Sequence, residues 1–469
     1  NETVLNRAYG LLVEAVQLSR RVTPVGEWLL DNFYLIEEQI LMARAHFPRG
    51  YSRELPRLAH GPSALLPRVY DLAFEAISHG DGRVDAETLS RFVAAYQTVT
   101  PLKLGELWAI PIMLRLALIE NLRRVGARVA AGAIDRNRAD GWADQMLDVA
   151  EHDPNSLILV IADMARSNPP MVSSFVAELA RRLQGQSAAL ALPLTWIEQR
   201  LSESGLTIEQ LVQSETQQQA IDQVSMSNSI GSLRFLAAMD WREFVEAQSL
   251  VEQTFHEDPA GVYGQMDFAT RDRYRHAVEK LAKSSPLSEG DVARQAILLA
   301  QTGAAAEGPY HRTAHVGFYL IDNGQTQLEQ AVSLRRSAFD RLRRWTGSSS
   351  VLIYLGSILF LTATFTGCFM ALAIAAGWNG WLLALLGFVS ALAASQLAVT
   401  LVNWIATALV TPSPLPRMDF SDGLPPALRT LVVIPTLLQD VRGIDDLQIL
   451  SWKPLVGRTY STGDDDLSL

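Results

Sequence analysis

Residues Val351 to Ala376 read VLIYLGSILFLTATFTGCFMALAIAA, and Trp381 to Val410 read WLLALLGFVSALAASQLAVTLVNWIATALV. Neither arm carries a charge, and only Gly377-Trp378-Asn379-Gly380 joins them. A bilayer core about 30 Å thick takes roughly 20 apolar residues in helix, and each arm is longer than that. Two buried helices of a soluble core are the competing reading, but charge-free helices of such length are rare there. The stretch therefore predicts a transmembrane hairpin, with Trp378 and Trp381 at headgroup level, where an indole keeps one wet edge.

The flanks set the expected orientation. Arg335, Arg336, Arg341, Arg343 and Arg344 precede the first arm, no Lys or Arg lies between the arms, and Arg417 and Arg429 follow the second. The positive-inside rule puts both soluble ends in the cytoplasm, with residues 336–350 as a basic juxtamembrane segment. Within the second arm, Gln396, Thr400, Asn403 and Thr407 fall on one helical face. That face either packs against another helix or lines a path for a polar, uncharged substrate. Two helices cannot enclose a channel, so both readings require further transmembrane helices as partners, besides membrane lipid.

Length and composition bound the remainder. With 469 residues and a mass of 51.6 kDa, the chain has room for more than one domain. A formal net charge of -10 argues against a nucleic-acid partner. The single cysteine, Cys368, sits in the first arm, so no disulfide framework forms within the chain and a reducing compartment fits. The chain starts NETVLNRAYG, without Met or an apolar leader, as expected of a piece of something longer.

Residues 1–335 read as helix after helix: a mainly α fold, in one body or in two lobes divided near Gln184–Leu190. Leu11–Leu18 continues an amphipathic pattern that Pro24 interrupts, and Trp28–Phe47 has helical apolar spacing. His79-Gly80-Asp81-Gly82 is a turn. Thr100-Pro101 offers a cap and first-turn proline for the helix through ELWAIPIMLRLALIENLRRV, which Pro111 should kink. Asn168-Pro169-Pro170 opens a helix ending at Leu183. Thr207 with Gln210 has capping-box spacing, and Asp240 with Glu243 gives a similar start.

Four strings then carry a resemblance: YSRELPRL (Tyr51–Leu58), RFVAAYQTVTPLKLGELWAIPIMLRLALIENLRR (Arg91–Arg124), DPAGVYGQMDFATRDRYRHAVEKLA (Asp258–Ala282) and HVGFYLIDNG (His315–Gly324). With LPRMDFSDGLPPALRTLVVIPTLL beyond the hairpin, they resemble the N-terminal portion of bacterial cyclic beta-1,2-glucan synthases, up to about Leu447. The resemblance implies a very large inner-membrane enzyme with a cytoplasmic UDP-glucose-dependent glucosyltransferase domain. It also implies a C-terminal phosphorylase-like domain, a divalent metal (Mg2+ or Mn2+) in the transferase, and a growing beta-1,2-glucan as partner.

Leu428–Leu438, LRTLVVIPTLL, is a continuous apolar, β-branched run of the kind that forms a buried parallel strand. After a linker at 411–427, the resemblance makes 428–447 the start of a type A glycosyltransferase domain. Pro435 and Thr436 then lie at the strand end bordering the nucleotide-sugar crevice. Residues 448–469 depart from the family, and its aspartate and Gln/Arg-rich motifs have no counterpart there. No Gly-rich phosphate loop is present.

Other candidates compete with plainer readings. Asp464-Asp465-Asp466 satisfies an Asp-x-Asp metal pattern but lies in a polar tail without a preceding strand. His311 and His315 are four apart, yet Arg312 stands where a zincin helix needs glutamate. Asp31, Glu37, Glu38 and Glu106 offer paired glycosidase carboxylates or, more plainly, charged helix faces. Trp28, Trp108 and Trp241 offer sugar platforms or core. The expected function is part of a membrane-bound synthase making cyclic beta-1,2-glucan from UDP-glucose. The alternative is a truncated, non-catalytic anchor or interaction module.

Overall fold

The computed structural model describes residues 1–45, 51–61, 63–334, 350–409, 415–421 and 423. Among them the secondary structure is helical, relieved by two isolated β-bridges. The expected Leu428–Leu438 strand, the basic juxtamembrane segment and the tail lie outside the described residues. The chain forms two compact units, Asn1–Leu250 and Val251–Leu469. The boundary falls well beyond the expected Gln184–Leu190 division. The helices on either side of that loop, Ser173–Leu183 and Ala191–Ser202, bury Leu179, Leu183, Ile197 and Leu201 in one shared cluster. A loop between two helices of a single core does not divide a fold.

The first unit is built on the 49-residue helix Leu104–His152, roughly 70 Å long at 1.5 Å per residue. Leu107, Ile110, Leu114, Leu118, Leu122 and Val125 are buried along its first half, and Ala139, Ala143 and Met146 along its last third. Each large aliphatic side chain so covered contributes about 1.5–3 kcal/mol relative to exposure. Pro111 lies inside this helix, which continues through it. The helix starts at Leu104 and not at Thr100-Pro101, because Glu106 sets its origin. The Glu106 carboxylate accepts the Lys103 N–H at 3.0 Å and both guanidinium donors of Arg68 at 2.6 Å.

Trp28–Phe47, expected as one helix, is divided into Pro24–Asp31 and Phe33–Ala45. Asn32 makes the break. Its amide donates to the Trp28 carbonyl at 3.0 Å and its Oδ1 accepts from Arg234 at 2.6 Å. The capping box holds: Thr207 Oγ1 accepts the Gln210 N–H at 3.2 Å and Gln210 Oε1 the Thr207 N–H at 3.1 Å. Asp240 likewise caps the helix Trp241–Gln248, accepting the N–H groups of Arg242 and Glu243.

That capping box opens the 31-residue helix Ile208–Ala238, which runs beside the long helix. Asn121 donates to Ser225 and Ser229 at 2.9 and 3.0 Å, Arg128 pairs with Asp222 at 2.6 Å, and Arg136 with Glu215 at 3.2 Å. One set of numbers rises by seven or eight while the other falls, as an antiparallel pair of helices demands. The His79–Gly82 turn is locked onto this seam. Ser232 Oγ accepts the Val84 N–H and donates to the Gly82 carbonyl, both at 2.8 Å. Gly82 has φ +82, and a Cβ there would lie 2.3 Å from Ser229 Oγ.

The second unit contains, among the described residues, the helices Phe268–Lys283 and Glu289–Glu307, the shorter Leu250–Phe255, Val316–Ile321 and Gln325–Ala331, and the apolar hairpin. The hairpin helices are Ser350–Ala375 and Gly380–Leu409. Their apolar spans of 25 and 29 residues are almost wholly uncovered, which excludes the buried-core reading; this is a membrane protein. Gly377 and Gly380, at φ +85 and +68, supply the left-handed backbone of the turn. Ala394, Ala398 and Val402 form the buried stripe of the second arm. Asn403 accepts from Tyr354 of the first arm at 2.7 Å. Thr400 and Thr407 donate to carbonyls one turn back, and the side chains of Gln396, Thr400 and Thr407 remain exposed.

Candidate functional site

Three of the quoted strings, Asp258–Ala282, His315–Gly324 and the one starting at Leu415, meet at a cavity of about 680 Å³ in the second unit. This volume lies within the range of about 300–1,000 Å³ usual for ligand pockets. The helix Phe268–Lys283 supplies one wall. Its N-cap, Asp267, accepts the Thr270 N–H at 2.9 Å, fixing a start from which Tyr274 and Arg275 point inward, each 1% exposed.

Arg275 is held by buried acid. Glu252, 3% exposed, accepts from Arg275 Nη1 at 2.5 Å, Tyr263 Oη at 2.6 Å and Arg271 Nη1 at 3.2 Å. Burial and then the Glu252 carboxylate push the Tyr263 phenol well above its ordinary range, so it stays a donor.

A second relay borders the cavity. Asp258 Oδ1 accepts the Val316 N–H at 2.8 Å, and its Oδ2 lies 2.7 Å from His315 Nδ1. His315 Nε2 lies 3.3 Å from the Tyr274 hydroxyl. Burial first, then the Asp258 carboxylate, push the Tyr274 phenol up to about 12. It is therefore a neutral hydrogen-bonding group at pH 7 and not an activated nucleophile.

Gly317 makes this closeness possible, since a Cβ there would lie 2.2 Å from Tyr274 Oη and 2.9 Å from His315 Nε2. Gly317→Ala is expected to cost about 1–3 kcal/mol by overpacking. Tyr274→Phe in the same chain should recover only part of that loss, measured as hydrogen-exchange protection of residues 268–283, because the Tyr274 ring carbon at 2.7 Å and His315 Nε2 at 2.9 Å remain in the way. Equal losses in the single and double variants would show that the hydroxyl is not the obstacle.

On the far side of the same helix, Asp272 receives His276 at 3.2 Å, and this contact raises the imidazole pKa to about 9. The folded value exceeds the unfolded one. The stabilisation is thus complete below about pH 6.5 and is lost as pH rises through about 9. The ring is half exposed, so the effect is small. Thermal melts of wild type and His276→Gln should converge between pH 7 and 10.

The chain leaving the hairpin returns to this unit. Leu415 and Pro416 line the cavity, the Arg417 carbonyl accepts the Asp267 N–H at 3.0 Å, and the Asp419 N–H donates to Gln265 at 2.8 Å. The Arg417 N–H donates to Thr270 Oγ1 at 3.0 Å. These bonds form one short bridge, Met266 to Met418.

The candidates raised by the sequence fall in different places. His311 and His315 both line the cavity but do not share a helix: His311 caps the turn Arg312–Ala314 and pairs with Glu307, while His315 pairs with Asp258. Asp31, Glu37 and Glu38 are exposed, whereas Glu106 is buried against Arg68, so no carboxylate pair is assembled from them. Trp108 and Trp241 flank the first unit's core, and Trp28 lies at its surface. Pro435, Thr436 and Asp464–Asp466 lie outside the described residues. Among the described residues no three His, Cys, Asp or Glu side chains are placed to hold a metal, so no step is assigned to the Mg2+ or Mn2+ expected for the transferase. Sequence reasoning missed Asp258, Tyr274, Tyr310 and Phe318, although three of these stand in strings that carry the resemblance.

No protein-family model matches the chain. It is 32% identical over 450 residues, 95% of its length, to the cyclic beta-(1,2)-glucan synthase NdvB of Rhizobium meliloti (strain 1021). The chain spans 16% of that protein's length. Across nearly all of its own residues it is therefore a relative of a portion of a cyclic beta-1,2-glucan synthase, as the quoted strings imply.

Proposed function

We propose that the chain acts as the membrane-attached helical portion of a synthase that polymerises glucose from UDP-glucose into cyclic beta-1,2-glucan. The similarity to NdvB along 95% of the chain carries this reading. The helical units would position the growing glucan or brace a glucosyltransferase region, and the hairpin would hold them at the bacterial inner membrane with both soluble ends cytoplasmic. Nucleotide sugar and divalent metal belong to the transferase region, whose first strand would place Pro435 and Thr436 at the crevice. There an acceptor hydroxyl would attack the anomeric carbon of UDP-glucose, breaking its bond to the diphosphate and releasing UDP, as a general base takes the hydroxyl proton. The exposed amide of Gln396 supports packing against further transmembrane helices, since an amide facing lipid costs several kcal/mol.

The second reading, a non-catalytic anchor or interaction module, is supported for the isolated chain by its span of 16% of the length of NdvB. Labelled UDP-glucose separates the two. Membranes carrying the chain together with the sequence that follows it in the NdvB-like protein should form labelled cyclic glucan. Membranes carrying the chain alone should not. Incorporation by the chain alone would overturn the anchor reading; its absence from both would overturn the synthase reading.

A further inference from the structure

We propose that the cavity of the second unit binds a short segment of neutral β-linked glucan, held between Tyr310 and Phe318 and hydrogen-bonded by Arg312 and Asp322. The inference rests on the synthase reading and adds to it a site and its ligand.

The lining sets the ligand class. Tyr310 is fully exposed in the lining, with no packing role to account for it, and Phe318 is half-buried beside the second unit's core. Aromatic faces of this kind pack against the C–H faces of a pyranose, burying apolar surface while leaving the ring hydroxyls free. Arg312, Asp322 and His311 bring planar polar groups to the same space, and such groups match pairs of neighbouring hydroxyls.

The charges argue against a phosphate ligand. Arg312 already stacks over the Phe318 ring at 5.4 Å, Arg273 is engaged within the protein, and His311 is paired with Glu307. The Asp322 carboxylate stands among them. Stacking leaves the in-plane N–H donors of Arg312 available, and an acid beside them favours an uncharged, hydroxyl-rich ligand over an anion. The polar groups equally disfavour an acyl chain.

One wall is Leu415–Pro416, which runs directly into Arg417–Asp419, pinned to Gln265, Asp267 and Thr270. A ligand filling the cavity would cover this segment and slow its opening. Occupancy would thus be felt in the chain that leads from the membrane toward the proposed transferase.

The test uses the intact chain in nanodiscs with linear β-1,2-linked glucohexaose as probe. β-1,4-Linked glucohexaose, UDP-glucose and inorganic phosphate serve as comparisons. Saturation-transfer NMR reports binding, and hydrogen exchange reports residues 415–421. The β-1,2 hexaose is expected to bind and to slow exchange at 415–421. Tyr310→Ala, at a fully exposed position where folding is not at stake, should weaken binding at least tenfold. Arg312→Ala should do likewise. Binding of phosphate or UDP-glucose but not hexaose, or hexaose binding unchanged in both variants, overturns the proposal. Incorporation from UDP-glucose, assayed separately in membranes of the longer protein, keeps the two failures apart. Glucan synthesis without hexaose binding removes the site alone, whereas absence of synthesis removes the synthase reading.

Discussion

Glu252→Ala is expected to destabilise the second unit by about 3–5 kcal/mol, the usual consequence of stranding a buried charge. The Arg275 side chain has no solvent exposure and, among the described residues, pairs with Glu252 at 2.5 Å and Asp272 at 3.2 Å. Removing the carboxylate also deprives Arg271 and Tyr263 of an acceptor. Such a loss corresponds to local opening hundreds to thousands of times more frequent. Hydrogen exchange along residues 268–283 measures it directly. Glu252→Gln keeps an acceptor for Tyr263 but no charge, and should fall between wild type and Ala. A loss below about 1 kcal/mol in the Ala variant would mean that water reaches Arg275 and the site is not sealed.

Gly82→Ala should cost the first unit about 2–4 kcal/mol, from two separable sources. The backbone at φ +82 is strained for any L side chain, and the new methyl would meet Ser229 Oγ at 2.3 Å and the Ser225 carbonyl at 3.1 Å. Ser229→Ala in the same chain removes the hydroxyl clash and leaves the backbone strain, so it should restore only part of the loss. Urea unfolding, monitored by amide hydrogen exchange of the first unit, gives both numbers. Full restoration would assign the whole effect to the serine; none would assign it to the backbone.

The hairpin was legible to within a residue or so at each end, because an uncharged run of that length has few alternatives. The caps at Thr207 and Asp240 were equally plain, being local patterns of a few residues. The break at Asn32 was not, since the partner that fixes it, Arg234, is some two hundred residues away. The unit boundary at Leu250 was invisible for a related reason: it depends on which helices share a core, not on a linker's composition. At the cavity, His311 and His315 stood out by spacing, and the structure gives them separate partners, Glu307 and Asp258. Asp258 turns His315 into a positioning contact for Tyr274, and no local pattern announces a pairing across 57 positions.

The ion pairs Arg128–Asp222 and Arg136–Glu215 between the two longest helices of the first unit are spaced by eight residues on one helix and seven on the other, and so regular a code is ambiguous. Sliding one helix by a heptad would still set Arg128 opposite Glu215, and sliding it the other way would set Arg136 opposite Asp222. Each slide keeps one of these two pairs, so charge alone separates the alignments only weakly. What singles out one is unrepeated: the Asn121 amide between two serine hydroxyls, and the Ser232 hydroxyl inside the Gly82 turn. Deleting the Arg–Asp and Arg–Glu pairs should weaken this unit without changing its alignment. Erasing the small polar contacts should leave it stable but able to settle in the wrong frame.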